Sequence, residues 1–151
     1  MTPENLFLIA GRVAMPGWLL LAVGLFVPTR WSARLLWLGG RFVPLLLSAA
    51  YAGSLLVWWG GSDGGFQTLD AVARLFESKG LLLAGWIHYL AFDLLVGRWQ
   101  VDQALARGGA LRWLVLPCLA ATLMFGPVGL LLFLALSAST RRRAVTAGVA
   151  A

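Results

Sequence analysis

Four long apolar runs, Leu6–Val27, Phe42–Trp59, Leu81–Trp99 and Leu111–Ser137, constrain this chain more than any other feature. Each is near or above the roughly 17–25 residues that cross about 30 Å of hydrocarbon at about 1.5 Å per residue. Lipid offers no partner for backbone N–H and C=O groups, so a crossing segment must satisfy them within a helix or a closed barrel. None of the runs alternates apolar and polar side chains as barrel strands do. The pattern predicts an all-α integral membrane bundle of four transmembrane helices, a single domain over residues 1–151 with a basic C-terminal tail at 138–151. Composition agrees, because only 12% of the side chains are charged and 60% are hydrophobic, against about 25% charged in soluble domains. The first run follows Glu4 with no basic stretch before it and is longer than the core of a signal peptide, so it is read as a span.

The segments between the runs carry the charge. Arg30, Arg34 and Arg41 fall in the 28–41 connection, and Arg98, Arg107 and Arg112 surround the third connection. Arg74, Lys79 and Arg141-Arg142-Arg143 lie on the opposite side if four spans alternate, and six against five selects no orientation. The net charge of +6 does not imply nucleic acid, because these arginines flank apolar runs and no nucleic-acid-binding motif accompanies them. The lipid bilayer with its anionic headgroups is the expected partner, in a bacterial inner or intracytoplasmic membrane.

The stretch "GGSDGGFQTLDAVARLFESKG" sets Leu69, Val72, Ala73 and Phe76 opposite Asp70, Arg74 and Glu77, with Thr68 placed to cap. It predicts a short interfacial amphipathic helix between the second and third spans, serving as a connector or as a gate for a lipid-soluble ligand. Six tryptophans (31, 37, 58, 59, 99 and 113) fall near predicted span ends, whereas Trp18 and Trp86 lie deeper. Pro16, Pro117 and the "FGPVG" at 125–129 predict kinks, which either pack or open a pocket. Cys118 stands alone and can form neither an internal disulfide nor a thiolate cluster.

"WIHYLAFDLLVGRW", residues 86–99, is the most informative stretch. An aspartate at mid-span costs about 2.5–3.5 kcal/mol on insertion scales, so Asp93 is expected to face the bundle interior. His88 is about 140° away around the helix, whereas Tyr89 and Gly97 share the face of Asp93 and Trp86 continues that stripe. The first span holds Arg12, which either snorkels to its own interface or reaches toward Asp93.

This stretch, with Trp86, Ile87, His88, Asp93, Leu94 and Arg98, and with Pro127-Val128-Gly129 in the last run, resembles the abscisic-acid-deficient-four-like family. "PGWLLL" at 16–21 shares the likeness, while Gly97 replaces a bulkier residue of the plant members and Arg12 matches no family position. Plant members are required for making neoxanthin from violaxanthin, so the resemblance implies a carotenoid or similar isoprenoid as ligand. Converting an epoxy-carotenoid to an allenic alcohol is an isomerisation without net redox change, which needs an acid and a base but no cofactor. Asp93 with His88 or Tyr89 would supply these, and Trp86, Trp18, Gly97, Arg12 and Arg98 are the candidate ligand-binding residues. A single histidine excludes the multi-histidine di-iron sites of membrane hydroxylases. The alternative is a non-catalytic pigment-binding or structural subunit of a larger membrane complex, for instance a photosynthetic one, or a homo-oligomer. A proton-coupled transporter fits less well, because no inverted repeat is present.

Overall fold

A computed structural model describes the backbone of residues 2–149 and the side chains of residues 2–140. It is all-helical, with no strand among the described residues: α1 (Pro3–Gly24), α2 (Thr29–Trp37), α3 (Val43–Trp58), α4 (Leu69–Glu77), α5 (Lys79–Arg107), α6 (Leu111–Phe125) and α7 (Pro127–Val149). A π-helical segment, Leu38–Phe42, joins α2 to α3 without a break, and a single 3₁₀ turn follows α3. Three stretches are long and apolar enough to cross a membrane: Pro3–Gly24, Thr29–Gly61 and Lys79–Arg107.

The sequence explains where α1 begins and ends. Thr2 accepts a hydrogen bond from the Asn5 N–H, Pro3 occupies the first turn where its missing N–H costs nothing, and Glu4 faces the positive helix end. At the other end the Ser32 hydroxyl donates to the Gly24 carbonyl at 2.7 Å, and the Arg112 guanidinium donates to the Leu25 carbonyl through Nε at 2.7 Å and through Nη2. The helix runs through Pro16, and α6 runs through Pro117, so neither proline ends its helix.

α5 is the central helix, packed against α1, α3, α4 and α6. α1 runs parallel to it, since Lys79 pairs with Glu4 at 2.9 Å at one end while Arg112, just beyond its other end, reaches Leu25. α3 runs antiparallel, with Gly80 against Trp58 and Gly40 against the Arg98 side chain. The outer surface is apolar: Leu45, Leu56, Val57 and Leu131 are exposed, with Leu56 at 88%. Such continuous exposed apolar surface fits a membrane protein.

Two expectations are corrected. The 28–41 connection is not a loop, because α2 and the π segment carry it as helix continuous with α3. Its arginines break the apolar run in sequence but lie on one helix with Trp31, Leu36 and Trp37. The fourth expected span, Leu111–Ser137, is not one helix but two. Gly126 has φ +47, where an L side chain is strained, and the residue before a proline is disfavoured in α-helix, so α6 stops there and α7 restarts at Pro127. The chain then folds back on itself. Gly129 packs directly on the backbone of Thr122, seven residues earlier, a pair that a continuous helix would hold about 10 Å apart. The turn lies beside Asp93 and Tyr89, and Phe133 meets Trp99 edge-on at 5.5 Å, so α7 retraces α6 from the middle of α5 toward its Arg107 end. The expected basic tail at 138–151 begins inside α7, and the side chains of Arg141-Arg142-Arg143 lie outside the described residues.

Candidate functional site

The α6–α7 hairpin determines which side chains meet. Gln100 of α5 donates to Thr122 of α6 at 3.0 Å, and the Thr122 hydroxyl lies 2.8 Å from the Cys118 carbonyl. Gln100 and Thr122 are fully buried. Neither stood out in the sequence; the one available signal was a lone amide and a lone hydroxyl within apolar runs. Together they tie the hairpin to α5, where hydrocarbon would leave both groups unsatisfied. Cys118 is buried in the same layer and donates to the Leu114 carbonyl at 3.2 Å.

The hairpin tip sits over Asp93. A Cβ at Gly126 would lie 3.1 Å from Asp93 Oδ1, 3.3 Å from Tyr89 Cε2 and 3.4 Å from Asp93 Oδ2. Asp93 is 8% exposed, and its Oδ2 has no hydrogen-bond partner among the described residues. A buried carboxyl oxygen without a partner is costly, and Trp18 Nε1 and Ser137 Oγ share that condition.

The expected stripe along α5 is present and graded. Trp86 is exposed, Tyr89 half-buried, and Asp93 and Gly97 buried. Trp86 and Tyr89 stack at 5.6 Å, and Phe7 of α1 meets the other side of Trp86 at 5.5 Å. Tyr89 and Trp86 line an apolar groove of about 420 Å³ with Phe76, Leu82, Leu123 and Met124. Around the other side of Trp86 lies a second hollow, of about 590 Å³, against Phe7, Leu8 and Leu83 and bordered by Glu4 and Lys79. Both volumes fall in the range of about 300–1,000 Å³ of ligand sites. They exist because the hairpin turns back midway along α5, leaving the Lys79 half of that face uncovered.

Other expected site residues lie elsewhere. His88 is exposed on a different face, stacked on Phe92 at 4.4 Å and near Tyr51 at 5.4 Å. It lines a separate hollow of about 280 Å³ beneath the 62–68 loop and α4, so it is not brought to Asp93. Phe76 of α4, seated on Gly85, lines both this hollow and the Trp86 groove. α4 forms where expected, with the Thr68 hydroxyl accepting from the Ala71 N–H at 3.1 Å, but its buried side chains are Ala71 and Leu75, whereas Leu69, Ala73 and Phe76 of the expected apolar face are exposed.

Of the two alternatives for Arg12 the structure shows the outward one, so Arg12 is not brought to the site: it is exposed, and no ion pair of Arg12 or Asp93 occurs among the described residues. Projecting outward from α1 lets it reach an interface without burying its charge. Arg98 pairs with Asp102 at 2.8 Å and packs on Gly40, away from the groove. Trp18 and Gly97 close on each other, since a Cβ at Gly97 would lie 2.6 Å from the Trp18 ring. They pack α1 against α5 below Asp93 and leave no room for a ligand there. Among the described residues no group of three His, Cys, Asp or Glu side chains is placed to hold a metal.

The fold and site define a helical protein with three membrane-length helices and a half-length helical hairpin closing over a buried carboxyl. The chain belongs to the ABA4-like family, described as ABA DEFICIENT 4-like, whose model matches residues 5–133 and so nearly all of the three long helices, α6 and the start of α7. No curated protein and no solved structure matches it.

Proposed function

We propose that this is an integral membrane protein that binds a carotenoid or similar isoprenoid in the groove beside Trp86, with Tyr89 and Asp93 meeting the ligand's polar end group. The observation that carries this reading is the unpartnered, buried Asp93 oxygen next to Tyr89, a residue that also lines an apolar groove. Aromatic faces of Trp86, Tyr89 and Phe76 suit a flat polyene or ring, and a carboxyl beside a phenol suits a hydroxyl or epoxide. Membership of the family supports a carotenoid-related role. In this reading α4 lies at the headgroup level, and its Phe76 borders the entrance to the groove.

A second reading rests on the same pair. Asp93 and Tyr89 offer the proton donor and acceptor that isomerisation of an epoxy-carotenoid requires: one proton goes to the epoxide oxygen as a C–O bond breaks, and one leaves the adjacent carbon. His88 has no part in it.

The test is purification from the native membrane in gentle detergent, with a visible spectrum and mass analysis of the bound material. A small coloured particle with a stoichiometric isoprenoid is expected, and the pigment should be depleted in Asp93→Asn. A colourless particle that takes up no added carotenoid overturns the proposal. A stoichiometric place in a large pigmented complex, with no pigment on this chain itself, supports the structural-subunit alternative instead.

A further inference from the structure

The hairpin also bears on how many times the chain changes sides. α1, the continuous Thr29–Gly61 helix and α5 each run the full depth, in alternating directions. α6 then enters from the Arg107 end, turns at Gly126 opposite Tyr89 and Asp93, and hands over to α7. Phe133, seven residues or about 10 Å beyond the turn, has already returned to the level of Trp99. At the same pitch Thr140 comes level with Arg107. On this path the chain crosses three times, and the segment after Thr140 emerges at the Arg107 end, opposite Pro3.

Sorting the basic residues by this path changes the charge balance. Arg30, Arg34, Arg41, Arg98, Arg107 and Arg112 lie toward one end, whereas Arg74 and Lys79 lie at the other. Six stand against two among the described residues, with Arg12 midway along α1 counted at neither end, and the run Arg141-Arg142-Arg143 follows Thr140 at the richer end. An alternating four-span chain would have placed that run at the poorer end and nearly cancelled the difference. Arginine next to a span is retained on the cytoplasmic side, where anionic headgroups hold it.

We infer that the arginine-rich end is an interaction surface for the anionic cytoplasmic leaflet, so that the Pro3 end, the 62–68 loop and α4 face the opposite side. The groove beside Trp86 then opens into the non-cytoplasmic leaflet, because the hairpin fills only the cytoplasmic half of that face. Taken as a ligand entrance, this opening rests on the binding proposed above; the orientation itself does not.

Cysteine labelling tests it. In a Cys118→Ala background, Asp63→Cys, Ala110→Cys and Ser139→Cys are each exposed to a membrane-impermeant maleimide, in intact cells and in inverted vesicles. Labelling after detergent solubilisation serves as the control for thiol reactivity. The expected result is Asp63→Cys labelled from outside and both Ala110→Cys and Ser139→Cys labelled only from the cytoplasmic side. Ser139→Cys labelling together with Asp63→Cys, or labelling only after solubilisation, overturns the three-crossing path. Ala110→Cys labelling from outside overturns the orientation. No ligand enters the measurement, so its failure and a failure to find bound pigment are separate results.

Discussion

The two halves of α5 carry similar side chains and meet different surroundings. From Leu90 to Ala104 the inward side of the helix is covered by α1, α3 and the hairpin, burying Leu90, Ala91, Asp93, Leu94, Gly97, Gln100, Val101 and Ala104, while Phe92, Leu95 and Trp99 stay exposed. From Lys79 to Tyr89 the face toward the hairpin is uncovered, and Leu82 and Trp86 are exposed along it. The enclosed half therefore holds polar groups away from lipid, and the open half is where the proposed apolar ligand would rest. The Tyr89–Asp93 pair lies at their boundary, and in the proposed reading this is where a ligand on the open half meets a polar group held by the enclosed one.

The difference between the halves depends on the hairpin closing, and Gly129→Leu should remove it most completely. A side chain there meets the Thr122 backbone rather than a flexible side-chain end, so a loss of about 3 kcal/mol is expected, at the upper end for overpacking. The measurement is thiol labelling of Cys118 in detergent, which is fully buried in the closed hairpin and should become reactive. Native protection of Cys118 in this variant would break the comparison. Next in size is an asymmetry within the buried pair. Thr122→Val leaves the Gln100 amide without a partner and should cost about 1–3 kcal/mol, whereas Gln100→Leu leaves Thr122 bonded to Cys118 and should cost about 1 kcal/mol or less. Thermal unfolding of the two variants measures both.

Smaller effects sharpen the boundary. Asp93→Asn keeps the shape of the side chain, so the unliganded protein should melt as before while affinity for an added carotenoid falls about tenfold, or about 1.4 kcal/mol. His88→Ala should change that affinity less than about twofold, within about 0.4 kcal/mol, because His88 opens onto a different hollow. Equal losses in the two variants would mean that one ligand spans both sides of Phe76 and that the groove beside Trp86 is only part of the site.

Much of the enclosed half was legible in sequence. An aspartate that lipid penalises, with Tyr89 and Gly97 at four-residue spacing, had to turn inward, and Thr68 announced the start of α4. The hairpin was not legible from apolarity, since the 27 residues from Leu111 to Ser137 suit one long crossing or two half-length helices equally well. Only Gly126-Pro127 signalled a break, and a proline in a membrane helix more often kinks the helix than reverses it. For Arg12 the sequence left two directions open, because the direction of a side chain around α1 depends on what α1 packs against. The outward turn of His88 was consistent with its angular separation from Asp93; what lay across from it was set by α3 and α4, which no spacing within α5 encodes.

The π-helical segment Leu38–Phe42 joins an arginine-bearing helix to an apolar one. A π turn holds one residue more than an α turn, and one residue is about 100° of rotation along an α-helix. The segment thus acts as a phase shifter, setting the angular origin of everything after it. Val43, Leu47 and Ser54 form the buried stripe of α3, and a one-residue change upstream would swing them about 100° around the helix. Deleting one residue there would leave the hydropathy profile almost unchanged while turning the whole stripe toward lipid. Residue number in this stretch is therefore as much a part of its code as residue identity.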